Sequence, residues 1–302
     1  VPTTISLLWW NLYNLHDDVD DPLSDDLVKS TSVYRRDLRE VADIIDRIAP
    51  APDLIGCAEV ENRGVLRALA EEIHWRRTHR AYRCDEHIES RDPRGIDVGA
   101  LVRTDGALGE VRLHGLWPVD RSAVRPVVVV DALVAGRHPL TIALVHGKSR
   151  RSGFNSIEDP MPGSRLRHAY GRVLRGLAAE RGARGVPLVV LGDLNDEPHS
   201  HSLVDGAHAA IGRPLAGPVA PGRLYNLTRE GLADARGTCM HAGGWLLFDQ
   251  CLVNGVLLAP SAGGLRLEGR LRIIAEDPLL HLGMPNRWYS DHLPLLLTLV
   301  LA

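Results

Sequence analysis

Leu188-Val189-Val190-Leu191-Gly192-Asp193-Leu194-Asn195 is a short apolar run that ends abruptly on an acid and an amide. A run rich in Val and Leu, preceded by Pro187 and followed by Gly192, predicts a buried β-strand with polar groups at its C-terminal end. The pattern recurs. Ile5–Trp10, Leu54–Val60, Val98–Val102, Val127–Val134, Leu140–Val145, Leu246–Val253 and Leu293–Leu301 are further apolar runs bounded by Gly, Pro, Asp or Asn.

Helical patterns lie between them. Leu38, Val41, Ile44, Ile45 and Ile48 share one helical face, which Pro50 ends. Val65, Leu66, Leu69 and Ile73 form a second stripe behind Asn62, a candidate N-cap. Leu166, Tyr170, Val173, Leu174 and Leu177 form a third, opened by Ser164 and closed near Gly182. Strands arrive both singly and in series, which argues for an α/β fold with mixed sheets. Two sheets packed face to face with helices outside would bury every run. No repeat, linker or composition break divides the chain, so residues 1–302 read as one domain.

Composition narrows the function classes. Apolar residues make up 45% and charged residues 24%, ordinary for a soluble globular chain. No apolar run reaches the roughly 18 residues a bilayer-spanning helix needs, so no membrane insertion is expected. Val1-Pro2-Thr3-Thr4 lacks a signal-peptide pattern, which slightly favours the cytoplasm. The chain does not start with Met, and a removed leader keeps secretion open. A net charge of −3 provides no global basic field for nucleic acid. Only Lys29 and Lys148 are lysines among 35 basic residues. Cys57, Cys84, Cys239 and Cys251 have no C-x-x-C spacing, which removes zinc-ribbon and thioredoxin readings. Buried free thiols are expected, with a Cys84–Cys239 bridge left open. Asp17–Ser32, Arg150–Gly163, His199–Gly222 and Gly263–Arg287 are long irregular stretches, the first strongly acidic and read as a solvated loop.

Chemistry concentrates at strand ends. Asn11, Glu59, His146, Asp193 with Asn195, Asp249, and Asp291 with His292 each adjoin an apolar run. One such residue is an ordinary turn or cap. Six such places can converge on one cleft, because a packed sheet gathers equivalent strand ends. Carboxylates converging without thiolates favour a hard cation: magnesium, with manganese or calcium as alternatives. Two histidines beside them suit phosphoryl transfer.

Trp10-Asn11-Leu12-Tyr13-Asn14-Leu15, Glu59-Val60-Glu61-Asn62, Gly95-Ile96-Asp97-Val98, His146-Gly147-Lys148-Ser149-Arg150, Gly192-Asp193-Leu194-Asn195-Asp196-Glu197-Pro198 and Ser290-Asp291-His292-Leu293-Pro294 resemble, in order, the signature blocks of the endonuclease/exonuclease/phosphatase superfamily. The resemblance implies a four-layer α/β/β/α sandwich of two mixed β-sheets flanked by helices. It also implies metal-assisted attack of water on a phosphoester. By position, Glu59, helped by Asn11 and Asp291, would hold the metal. Asp193 would orient or deprotonate water, with Asn195 beside it. His292, oriented by Asp249, would contact the scissile phosphate. His146 would donate to a phosphate oxygen or leaving group, with Asp97 either its partner or a buried structural acceptor. Lys148 and Arg150 would add positive charge.

Other polar residues carry plainer expectations. Glu61 packs or caps the following helix, and His199 and His201 belong to a solvated loop. Arg165 and Arg167 are either surface residues or substrate contacts. The chain departs from the family at Ala58, where Gln is usual, at Gly147, where a bulky residue is common, and at Gly237-Thr238-Cys239-Met240-His241. These changes bear on substrate more than on reaction. Phosphodiester hydrolysis with DNA or RNA as substrate is the leading expectation. A small-molecule, nucleotide or lipid-headgroup phosphoesterase is the alternative, and so is non-hydrolytic metal chemistry. No protein partner is inferable. Neither an aromatic stacking platform nor a basic groove is visible in the sequence.

Overall fold

The computed structural model describes residues 2–49, 51–75, 81–119, 124–150, 163–241 and 243–301. In chain order the first elements are β1 (Thr3–Leu15), α1 (Thr31–Ile48), β2 (Leu54–Val60), α2 (Arg63–His74), β3 (Tyr82–Arg83) and β4 (Asp97–Arg103). There follow β5 (Leu108–Leu116), β6 (Val127–Val134), β7 (His138–His146), α3 (Ser164–Ala183) and β8 (Leu188–Asp193). The last third is strand-rich: β9 (Ala210–Ile211), β10 (Leu224–Asn226), β11 (Cys239–His241), β12 (Gly244–Leu246), β13 (Asp249–Asn254), β14 (Leu265–Leu267), β15 (Arg272–Ile273), β16 (Leu280–His281), β17 (Met284–Pro285) and β18 (Leu295–Leu301).

Two mixed seven-stranded sheets result. One runs β14-β18-β1-β2-β4-β3, with β15 also on β18; the other runs β5-β6-β7-β8-β13-β10-β9. β1 and β2 are parallel, as are β7 and β8, while β13 and β18 run antiparallel to β8 and β1. The C-terminal ends of β1, β2, β7 and β8 therefore lie with the N-terminal ends of β13 and β18.

Strict alternation explains the continuous apolar runs. Val127, Val129, Ala143, Val145, Leu188 and Val190 pack with Tyr170, Leu174 and Leu177 of α3. Val128, Val130, Ile142, Leu144, Val189 and Leu191 belong instead to the core shared with the first sheet and helices α1 and α2. A strand covered on both faces has no polar side to show, so its sequence reads apolar throughout. Helix, sheet, sheet and helix make the four layers expected.

Local signals are as predicted at the helices. Asn62 Oδ1 accepts the Val65 N–H at 3.0 Å and starts α2. The Leu246–Val253 run, by contrast, is broken: β12 ends at Leu246, and Asp249 opens β13. β5, absent from the apolar runs, is an edge strand whose Glu110, Arg112 and His114 reach solvent or half-exposed positions. All four cysteines are free and buried, so Cys84 and Cys239 are not bridged. Most of the Arg150–Gly163 stretch lies outside the described residues.

Candidate active site

Three functional side chains arise from one row of one sheet. His146 pairs with Asp193 across β7 and β8, and Asp193 with Asp249 across β8 and β13. Residues in register project to one face, here the face toward the other sheet. Gly192 lets the row form, since a Cβ there would sit 2.3 Å from the Val145 carbonyl. Gly147 has the same use: a Cβ would sit 2.7 Å from the Leu194 carbonyl, which explains the missing bulky side chain.

Glu59 reaches the row from across the gap by breaking alternation. Gly56 faces the gap, where a Cβ would meet Leu144 and Trp9, so regular alternation sends Ala58 inward and Glu59 outward. At Glu59, however, φ is +59°, and the β2–β4 register shifts between Ala58 and Val60. The carboxylate is thereby turned inward, with Oε1 at 3.7 Å from His146 Nε2. Tyr13, Asn14 and Asn195 also have left-handed backbones, and all four line the same cleft. Such conformations cost of order 1–3 kcal/mol for most non-glycine residues and cluster at functional sites.

The cleft is lined by Glu59, His146, Arg150, Asp193, Asn195, Asp291 and His292, as expected, and also by Tyr13, Asn14, Arg94, Met240 and Phe248. His292 Nδ1 is 2.6 Å from Asp249 Oδ2, and Trp9 Nε1 donates to Asp249 Oδ1 at 2.9 Å. Burial opposes a charge on His292, but the Asp249 and Asp193 carboxylates outweigh it and hold the imidazole pKa well above its ordinary value. Desolvation, reinforced by Asp249 and Glu59 against His292 and the Asn195 N–H, pushes Asp193 up to about 7. Burial, together with Arg125, Arg94, His292 and Lys148, drives His146 well below 6.5 and leaves it neutral. The result is one protonated and one neutral imidazole around a desolvated acid.

Asp249 stands directly behind His292, and three other expected residues also lie off the cleft wall. Asn11 is 1% exposed and stands behind the cleft wall: its Nδ2 donates to Asp193 Oδ2 at 3.2 Å, and its Oδ1 accepts the Tyr13 N–H at 3.0 Å. Asp97 does not partner His146. Its carboxylate faces His87 Nε2 at 3.2 Å and accepts the Ser90 N–H at 2.9 Å, the buried acceptor of the two alternatives. Lys148 is half-buried with Asp92, Arg125 and Arg94 as its electrostatic neighbours, and is not among the cleft-lining residues.

The neighbouring polar residues sort themselves likewise. Glu61 accepts the Asp17 N–H at 2.6 Å and ties down the acidic loop rather than capping α2. His199 and His201 are exposed. Arg165 is exposed, whereas Arg167 is 2% exposed and donates to the Lys148 carbonyl at 3.0 Å. Arg94 was missed because only a returning loop brings it to the cleft, and Tyr13 because a left-handed backbone near the end of β1 breaks the strand pattern there. Gly95, directly after Arg94 and with φ +60°, was the only local hint.

The donor set fits a hard divalent cation. Among the described residues Glu59 has one short partner, the Asn14 N–H at 3.1 Å on Oε2. Asp291 is loosely paired, 3.8 Å from His292 Nε2 and 3.9 Å from Arg287 Nη2. Oxygen ligands held this loosely leave room for an ion. Cys239, Asp249 and His292 also lie within 4.8 Å of one another, but Asp249 and His292 are bonded to each other and burial drives the Cys239 thiol pKa up. A neutral thiol beside an occupied pair is a poor ligand set.

Solved structures share the fold. Humanized D. rerio TDP2 matches with TM-score 0.58 and 16% identity over 98% of each chain. ANGEL2, described as a 2′,3′-cyclic phosphatase, gives TM-score 0.59 and 16% identity over 99% of this chain and 96% of its own. The human Nocturnin catalytic domain gives TM-score 0.55 and 16% identity over 98% and 94%. No curated protein sequence matches. Fold and cleft together define a phosphoesterase that works with a metal. The sequence profile of the Endonuclease/Exonuclease/phosphatase family matches residues 6–294, and the chain belongs to that family. It is a divalent-metal-dependent phosphoester hydrolase.

Proposed function

We propose that residues 1–302 act as one domain that hydrolyses phosphodiesters, with nucleic acid as substrate class. The carrying observation is the in-register row His146–Asp193–Asp249, closed by His292 at 2.6 Å from Asp249 and faced by Glu59 across the gap. Asp193, with a pKa near 7, is suited to accept a proton from water at neutral pH. Asn195, whose Nδ2 donates to the Gly147 carbonyl at 3.3 Å, stands beside that water. His292 presents a protonated imidazole to the scissile phosphate, where charge develops. His146, neutral, donates to a phosphate oxygen or to the leaving group. Arg150 adds fixed positive charge. Asn11 acts from behind by holding Asp193.

Glu59 and Asp291 would hold the cation, and magnesium fits their hard oxygens best, ahead of manganese or calcium. When bound, such an ion neutralises and orients the phosphate oxygens. Exposed Asp20, Asp21 and Asp25 and a net charge of −3 favour, as second reading, a small phosphoester over a long polyanion. Turnover with magnesium on single-stranded DNA, duplex DNA, RNA, a bis-aryl phosphodiester and phosphomonoesters separates the two. Preference for a phosphomonoester or a bis-aryl ester over every nucleic acid overturns the first.

A further inference from the structure

A second depression adjoins the catalytic cleft. Met240, Met284, Pro285, Trp288 and Asp291 line a groove of about 540 Å3, and Met240 and Asp291 line the cleft as well. Trp288 is 61% and Met284 46% exposed. Large apolar groups left in water at the rim of a site mark a binding surface. Their placement is firm. Asn286 Oδ1 accepts the Trp288 N–H at 3.2 Å, and Asn286 Nδ2 donates to the Pro278 carbonyl at 2.9 Å. The Arg36 guanidinium lies 4.7 Å from the centroid of the indole. The same segment continues into Asp291 and His292. There Ser290 Oγ donates to the Asn11 carbonyl at 2.7 Å and accepts the His292 N–H at 3.0 Å. Trp288 is thus tied to the residue that faces the phosphate, four positions away.

We propose that this groove holds the unstacked nucleobase of the nucleotide beside the scissile phosphate, so that the enzyme takes single-stranded nucleic acid in preference to an intact duplex. The occupant presupposes the nucleic-acid reading above and narrows it. An indole offers a flat π face to any base, and thioethers conform to the rest of a flat ring. A base inside a duplex is already stacked and paired, so entering the groove would cost unstacking.

The test compares a single-stranded oligonucleotide with the same strand carrying an abasic residue beside the cleavage position, in magnesium. Wild type should favour the base-bearing strand by about tenfold in kcat/KM, through KM, in keeping with the worth of one base–aromatic stack. Trp288→Ala should abolish that preference and Trp288→Phe should keep most of it, with the melting temperature of both variants matching wild type. Equal losses on the two strands, no loss on either, or a duplex cleaved as fast as the single strand overturns the proposal. Loss of phosphatidylcholine-vesicle binding in Trp288→Ala, with the base preference intact, assigns the groove to lipid instead. Should wild type cleave neither strand yet hydrolyse another phosphoester, the nucleic-acid reading itself falls, and the groove's occupant with it.

Discussion

Asp249 spends both carboxylate oxygens on two fixed partners, Oδ2 at 2.6 Å from His292 Nδ1 and Oδ1 at 2.9 Å from Trp9 Nε1. The indole belongs to the opposite sheet, so the contact sets the acid against the imidazole and also joins the layers at the site. With Nδ1 engaged, the other ring nitrogen of His292 is left facing Asp193 Oδ2 at 3.9 Å and Asp291 Oδ1 at 3.8 Å.

Asp249→Asn should lower kcat by roughly 10² or more with a much smaller change in KM, because an amide cannot hold the imidazole protonated. His292→Ala should cost as much, and the double variant little more than either alone, since the two act as a unit. Steady-state kinetics with magnesium test this. Additive losses would separate the two roles.

Chelation should silence the enzyme, and magnesium or manganese should restore it. Glu59→Gln keeps the size of the side chain but removes a charged ligand, so it should raise the metal concentration needed for half-maximal rate, with partial recovery at excess metal. Metal titrations of both forms measure the shift. Unaltered metal dependence would remove Glu59 from the ion site.

Arg150 reaches the cleft on a built support. Its Nη2 donates to Asp196 Oδ1 at 2.7 Å and its Nε to the Asn195 carbonyl at 3.1 Å, and its guanidinium lies 4.9 Å from the Phe248 ring centroid. Arg150→Ala should raise KM more than it lowers kcat. Asp196→Ala should reproduce that KM effect and also cost about 1–3 kcal/mol of stability, because Ser202 Oγ loses its buried acceptor. Kinetics paired with denaturant melts check both parts.

His146 gives stability a pH dependence of defined sign. Its folded pKa is depressed below 6.5, so on acidification the unfolded chain takes up a proton that the folded chain refuses. Stability is therefore present above about 6.5 and is lost as pH falls from there toward the folded value. His292, with its raised pKa, acts in the opposite sense, but it is common to wild type and variant. In metal-free buffer, the melting temperature of wild type should fall more steeply between about pH 7 and pH 5 than that of His146→Gln.

Much of the fold was legible because the β-strands that matter are covered on both faces. β6, β7 and β8 read as apolar runs for that reason, and β5 did not, since an edge strand alternates toward solvent and carries Glu110 and Arg112. The acids and histidines were legible for a related reason. A polar residue directly after an apolar strand is conspicuous, and parallel or antiparallel packing then gathers such ends.

Sequence by itself determined the family, through six motif blocks in order, and also the two-sheet architecture and the strand-end residues Glu59, His146, Asp193, Asn195 and His292, because periodicity and strand-end position are local properties of the chain. Tertiary structure alone decided that Asn11 backs Asp193 from behind, that Asp97 pairs with His87, that Arg94 and Tyr13 line the cleft, and that Trp288 lines the groove adjoining it. It also decided the inward turn of Glu59, which regular alternation would have sent the other way. Those facts depend on how the two sheets face each other, on where loops return and on left-handed residues such as Tyr13 and Glu59. None leaves a periodic trace in sequence, because all follow from contacts between segments far apart in the chain.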